Sequence, residues 1–275
     1  MRAALLQLTS GDDPAANLVA TEALVREAAA GGAGLVLTPE CTNMVSASRE
    51  RQRALLRPES DDPTLARMRE VAAELGLWLL LGSLLLKAED DDRFVNRSLL
   101  LGPDGGIRAR YDKIHMFDVT LKDGESYRES AAFRPGDCAV LTDAAGLRLG
   151  MTICYDLRFP QLFRALAQAG AQVLAVPSAF TVPTGSAHWH ALLRARAIEC
   201  GAYVLAPAQW GTHPATAAKP RRTYGHSLAV APWGEVLADA GEGTGLSFVT
   251  IDPAEVARAR EMVPSLRHDR DFAAP

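Results

Sequence analysis

Short apolar runs alternate along this chain with longer amphipathic stretches that open at proline and close at glycine, and this pattern constrains the fold more than any other feature. The runs at 2–8, 34–37, 78–82, 94–102, 107–112, 147–154, 172–176, 202–206, 226–231 and 246–251 are bounded by turn residues and read as strands. The segments 14–30, 63–75, 160–169, 188–200 and 253–263 read as helices. Pro14, Pro63, Pro160 and Pro253 stand at first helical positions, where a missing N–H costs nothing, and Gly31, Gly76, Gly170 and Gly201 follow the ends. Alternation of strand and helix implies an α/β fold with parallel or mixed sheets covered by helices. The stretches before and after about Arg134 show the same order of elements, and nothing between them reads as a flexible linker. A single domain over 1–275 is the expectation.

Three strand ends carry chemistry. In GMTICYDLRFP (150–160), Cys154 closes an apolar run and precedes a helix that Phe159 and Pro160 can open. Backbone N–H groups of that helix would favour a thiolate and offer donors to an oxyanion. In AGLVLTPECTN (33–43), Thr38 and Pro39 break a buried strand, so Glu40 lies at its exit. In RARYDKIHMFD (108–118), Lys113 precedes an apolar, aromatic stretch, and a lysine held there needs a carboxylate. Taken singly, each has an ordinary reading: a packed cysteine, an exposed loop acid, a solvated lysine. Together they supply a nucleophile, a proton carrier and a positive charge, the set that amide hydrolysis requires.

In the order Glu40, Lys113, Cys154, these segments resemble the Glu-Lys-Cys triad of the nitrilase superfamily of carbon–nitrogen hydrolases. YDKIHMFD, RESAAFRPGD, CYDLRFP, PSAF, HWHALLRARAIE and YGHSLAVAPWGEVLA extend the resemblance along the chain. Within the superfamily the chain is most similar to amidases acting on omega-amides, which implies a small carboxylate-bearing amide, with deaminated glutathione or alpha-ketoglutaramate as examples. The resemblance implies a four-layer αββα sandwich. It also implies attack by Cys154 to give a thioester, proton transfer by Glu40, and stabilisation of the oxyanion by Lys113 and the backbone N–H of Tyr155. Glu129 matches a second family glutamate beside the lysine, with Glu125 as its rival. It further implies a homodimer formed through helices 160–169 and 188–200. Leu162, Phe163, Leu166, Leu192, Leu193 and Ala197 would supply that surface or else ordinary core, and Arg194, Arg196 and Glu199 read as a structural ion-pair network.

A carboxylate-bearing substrate needs a cation away from Cys154, because an unpaired buried carboxylate is costly. Arg221 and Arg222, in THPATAAKPRRTYGHS, are the candidates, with a solvated loop as the alternative. The loop from Phe180 to Gly185 would form one wall. A nitrilase, a carbamoylase or an N-acyl transferase would use the same triad. A scaffold on an inactive fold would not retain it, and a thiol redox protein would need a resolving cysteine near Cys154. His226 is a lesser candidate for chemistry, since buried histidines are commonly satisfied by structural hydrogen bonds.

The remaining composition narrows the partners. A net charge of -4 without a long basic patch argues against nucleic acid or an anionic membrane surface. WLLLGSLLL (78–86) is too short to span a bilayer. Cys41, Cys138, Cys154 and Cys200 show no metal-ligand or disulfide spacing, so neither metal nor cofactor is expected, and a reducing cytoplasm is.

Overall fold

Twelve strands build two six-stranded sheets; neighbours follow chain order throughout one of them, and in the other the last strand of the chain joins the edge beside the first. The computed structural model describes residues 1–120, 126–217 and 219–273. The first sheet begins with β1 (Arg2–Gln7), β2 (Leu35–Leu37), β3 (Trp78–Lys87), β4 (Phe94–Leu101) and β5 (Ile107–Asp112). The second comprises β6 (Val140–Ala144), β7 (Leu147–Met151), β8 (Val173–Ala175), β9 (Tyr203–Ala206), β10 (Leu228–Val230) and β11 (Val236–Asp239). The last strand, β12 (Gly245–Thr250), crosses back to pair antiparallel with β1 at the edge of the first sheet. Each sheet has three parallel central strands, β1–β3 in one and β7–β9 in the other, flanked by antiparallel neighbours.

Residue parity explains the layering. Ala3, Leu5, Leu35, Leu37, Leu80 and Leu100 face the second sheet and share a core with Val173, Ala175 and Leu205. Ala4, Leu6, Val36, Leu79 and Leu101 point the other way, against Val25, Ala28, Met68 and Val71 of α1 (Pro14–Ala30) and α3 (Pro63–Leu75). Both faces of the central strands are therefore buried, which is why they read as continuous apolar runs rather than alternating ones. On the far side, α4 (Pro160–Gln168) and α5 (Val182–Cys200) pack on β7, β9 and β10. The result is the αββα sandwich. Asp13, Asp62 and Asp252 cap α1, α3 and α6 (Pro253–Met262) by accepting backbone N–H bonds in the first turn.

The differences from expectation lie at the margins. The strand expected over 78–82 continues to Lys87, and that over 147–154 stops at Met151. The strand expected over 226–231 narrows to β10, because His226 adopts a left-handed φ of 56° that no strand tolerates. The helix expected from His188 begins at Val182, with Pro183 accommodated in its first turn, so the wall from Phe180 to Gly185 is largely helical. Unforeseen are the edge strands β6 and β11, helix α2 (Arg49–Leu55) and two short hairpins. No helix among the described residues is long and apolar enough to cross a membrane.

Candidate active site

Glu40 leaves the end of β2 into a turn wedged between the sheets. The approach is so close that a Cβ on Gly82 would lie 1.9 Å from the Thr38 carbonyl oxygen and 2.5 Å from Pro177 Cβ, so only glycine fits there. Cys154 sits two residues beyond Thr152, whose hydroxyl donates to the Ala175 carbonyl, and its own N–H donates to the Pro177 carbonyl at 3.0 Å. Its φ of 51° is left-handed, a strained state for a residue with a side chain. A five-residue 3-10 helix, Cys154–Arg158, follows and precedes α4. Asp156, fully buried in that turn, accepts from Ile153 N–H at 2.8 Å, the Tyr111 hydroxyl at 2.6 Å and His115 N–H at 3.0 Å. One carboxylate thus ties the cysteine turn to the segment that carries Lys113.

These elements bring Glu40, Lys113 and Cys154 to one place, with only 4%, 2% and 8% of each exposed. Lys113 Nζ donates to Glu40 Oε1 at 2.9 Å and to both oxygens of Glu129, also at 2.9 Å. Glu129 Oε2 additionally accepts Phe117 N–H at 2.7 Å. Glu40 Oε1 accepts from Asn96 Nδ2 and Oε2 from Ala179 N–H, both at 2.9 Å, while the Cys154 thiol hydrogen-bonds the same carboxylate. Glu125 lies outside the described residues, and Glu129 is the glutamate that meets the lysine.

Burial alone would discharge Lys113, but the charges of Glu129 and Glu40 outweigh it and hold the ammonium well above the ordinary lysine range. Burial also opposes ionisation of Glu40, yet Lys113 and the hydrogen bonds from Cys154, Lys113 and Asn96 keep its carboxyl below 4.5. Cys154 departs from the sequence expectation of a thiolate. Burial and the adjacent Glu40 charge raise the thiol well above 9.0, against a smaller opposing effect of Lys113. The resting site is therefore a neutral thiol beside an ionised carboxylate, an arrangement suited to general-base attack.

A cavity of about 740 Å³ opens over these groups. Phe180, Arg221 and Arg222 all line it, as does Tyr155, whose N–H lies in the first turn of the 3-10 helix where no acceptor exists within the helix. Phe180 is buried against Trp189, with ring centroids 4.8 Å apart, so it shapes the wall more than it offers a free surface. The Arg221 guanidinium is half-buried and has no hydrogen-bond or ion-pair partner among the described residues, whereas Arg222 is exposed. Among the lining residues, Asn96 escaped the sequence reading, where it looked like one polar interruption in FVNRSLLL, and Arg49 reaches the cavity from α2. Arg49 stacks over Phe133 at 5.5 Å and faces the cavity without an ion pair among the described residues.

No histidine among the described residues lines this cavity, so a Cys-His pairing has no geometry to support it. Asp239 holds two histidines, His226 Nδ1 at Oδ1 and His190 Nε2 at Oδ2, at 2.9 Å in each case. This trio is the group among the described residues with atoms placed to hold a metal ion, and it stands apart from the cavity wall. Arg196 pairs with Glu199 at 2.8 Å, while Arg194 donates to the Gly234 carbonyl instead of joining them. Cys41 is buried, and its thiol is pushed up by burial and Glu40, which leaves it an inert packing residue.

Comparison with known proteins agrees with this architecture. Residues 2–261 match the family described as carbon-nitrogen hydrolase. The chain is 42% identical over 269 residues to a deaminated glutathione amidase of Yersinia enterocolitica, covering 97% of this chain and 92% of that protein. Its fold is similar to that of the NitFhit protein of Caenorhabditis elegans, with a TM-score of 0.89 at 37% identity, over 98% of this chain and 65% of that one. It is also similar to a glutamate-to-glutamine mutant of an amidase from Nesterenkonia sp. AN1, described as showing Michael addition of acrylamide at the active site cysteine. There the TM-score is 0.79 at 28% identity, over 96% of this chain and 98% of that one.

Proposed function

This chain belongs to the carbon–nitrogen hydrolase family, and from that premise we propose that it is an amidase cleaving a small, anionic omega-amide through a thioester on Cys154. The observation that carries the reading is a single buried carboxylate, Glu40, that touches both the Cys154 thiol and the Lys113 ammonium. In this mechanism Glu40 takes the thiol proton as Sγ attacks the carbonyl carbon. The oxyanion meets Lys113 and the Tyr155 N–H; the loss of one such donor typically costs roughly 10²–10³ in turnover. Glu40 returns the proton to the nitrogen, the C–N bond breaks, and ammonia or an amine departs. Water, deprotonated by Glu40, then cleaves the thioester to the acid and restores the thiol. Glu129 holds Lys113 in place from the other side.

Deaminated glutathione, the substrate in the names of several relatives, is glutathione without its amino group and keeps two carboxylates. The unpartnered Arg221, with Arg49 and Arg222, supplies cations for such a molecule. The test is a panel of deaminated glutathione, alpha-ketoglutaramate and simple nitriles, scored by amine or ammonia release. Hydrolysis of the anionic amides is expected, and a clear preference for nitriles would overturn the reading. On the preferred amide, Arg221→Ala raises KM by roughly tenfold with kcat little changed, the pattern of lost ground-state binding. An unaltered KM removes Arg221 as the anchor.

We also assign the chain a place as a homodimer in the reducing cytoplasm. Its four cysteines are unpaired, which suits that compartment. Of the apolar positions first considered for pairing, Leu162, Phe163, Leu166, Leu193 and Ala197 are buried within this chain's own core. Ile198 on α5 and Trp233, whose neighbour Gly234 packs against Ile198, are 54% and 52% exposed and remain to form the contact. Light scattering at micromolar concentration is expected to give twice the chain mass of 29.4 kDa, and a monomer there rejects the pairing.

A further inference from the structure

We propose that Asp12 is a positioning residue that ties together the two cation-bearing rims of the cavity, α2, which carries Arg49, and the loop that leads to Arg221, and through them sets the affinity for anionic amides. This rests on the amidase reading above and adds to it a residue, outside the cavity wall, that governs substrate binding.

Asp12 follows β1, is 2% exposed, and does not line the cavity. A buried carboxylate needs partners to offset its lost hydration, and those of Asp12 come from two elements far apart in the chain. Arg51, on α2, places Nε 3.0 Å from Oδ2 and donates to the Asp12 backbone carbonyl at 3.1 Å. Thr216 donates to the same Oδ2 from its N–H at 2.7 Å and from its hydroxyl at 2.9 Å. The Asp12 N–H in turn donates to the Pro214 carbonyl at 3.1 Å. Burial opposes ionisation, but the bonds from Thr216 and the Arg51 charge hold the carboxyl below 3.8.

The turn that presents Asp12 is itself fixed. Gly11 exchanges two hydrogen bonds with the buried Asn17 side chain, at 2.8 and 2.9 Å, and its carbonyl accepts Val45 N–H at 2.9 Å. Next to it, the Ser10 carbonyl accepts His213 Nδ1 at 2.7 Å. Burial pulls His213 down to about 4, so its ring is neutral, and with the hydrogen on Nδ1 its Nε2 accepts the Thr223 hydroxyl at 2.7 Å. His213 N–H also donates to the Arg221 carbonyl at 2.9 Å. The backbone that carries Arg221 is thus moored to residues 10–12, and Asp12 is where that mooring meets α2.

Neither rim has much core of its own. Helix α2 fully buries only Gln52, and residues 214–217 are exposed or half-buried, so polar ties decide where the two cations stand. Cations held in place lose less freedom when a substrate carboxylate arrives. Releasing them therefore costs binding, whereas Glu40 and Lys113 keep separate supports in Asn96, Ala179 and Glu129.

The test measures kcat and KM of the full-length protein on whichever of deaminated glutathione and alpha-ketoglutaramate it hydrolyses better. Asp12→Ala is expected to raise KM by roughly tenfold and to leave kcat within about twofold. Asp12→Asn, which keeps a carbonyl oxygen as acceptor, recovers most of that loss. In a protein already carrying Arg49→Ala and Arg221→Ala, Asp12→Ala changes kcat/KM by less than about twofold, because it acts through those cations. If Asp12→Ala does not fold by circular dichroism, Arg51→Met releases α2 alone and is expected to raise KM by roughly threefold. An unchanged KM in a folded variant, a loss confined to kcat, or a full effect in the protein lacking both arginines overturns the role of Asp12 and leaves the amidase reading intact. Failure of the parent protein to hydrolyse either amide overturns both.

Discussion

Cys154→Ala is expected to lower turnover of the amide by about 10⁵–10⁶, because the remaining groups cannot form the acyl-enzyme. The change removes one sulfur atom from a buried turn whose backbone is held by Pro177 and Asp156, so the fold should survive it. Intact-protein mass spectrometry supplies a second readout. The parent quenched during turnover carries the mass of the acyl group on Cys154, and the variant carries none. Cys41 is the internal control, since it lies next to Glu40 in the chain and is also buried. An acyl adduct that persists in Cys154→Ala, or turnover within tenfold of the parent, would remove the thioester mechanism.

Lys113→Met has the second large effect, and it falls on stability as well as turnover. Lys113 is the cation between Glu40 and Glu129, and removing it leaves a buried and a partly buried carboxylate facing each other without a counter-charge. Breaking a buried pair in this way costs about 3–5 kcal/mol at neutral pH. The pH dependence has a definite sign. In the parent, Glu40 is held below its ordinary value of 4.5, so its contribution is complete above that pH and is lost as pH falls through the lower, folded value. In the variant the cation that depressed Glu40 is gone, and burial dominates and raises it. Folding then takes up protons, and the stability deficit shrinks as the pH is lowered from neutral toward the carboxylate range. Urea unfolding at neutral pH and near pH 5 measures both quantities. A neutral-pH deficit below about 1 kcal/mol, the scale of an exposed pair, would contradict the buried-network account.

The parts of the fold legible beforehand were those where local chemistry and tertiary structure agree. Helices α1 and α3 carry proline at the start, an aspartate cap and a glycine at or just after the end, and their bounds matched. Strand β6, reading VLTDA, and β11, reading VLAD, were missed because edge strands are half-solvated and lose the apolar run that marks a central one. Helix α2 reads RERQRAL and buries little beyond Gln52, so no apolar period announced it. The run that became β12 was recognisable as a strand, but its place in the first sheet is set by pairing with residues more than two hundred positions away.

The site follows the same division. Glu40, Lys113, Cys154 and Glu129 stand in distinctive segments and converge in space, as the family resemblance of those segments implied. The ionisation of the thiol was not legible, because a helix start suggests stabilised charge while burial and a neighbouring carboxylate, both three-dimensional facts, reverse the sign. Asn96 was invisible for a related reason: one amide in an apolar strand gains meaning only when it is found against Glu40.

The pairing of β12 with β1 also sets a timetable for biosynthesis. Arg2 to Gln7 leave the ribosome more than two hundred residues before the strand that covers their outer edge, Gly245 to Thr250. At roughly 5–20 residues per second, the intervening chain takes about 10 to 50 seconds to synthesise. For that interval the nascent first sheet has a row of open backbone donors and acceptors, the kind of edge on which foreign strands add. Chaperone occupancy on translating ribosomes should therefore persist until the final strand emerges, long after the residues that hold the nucleophile have been assembled.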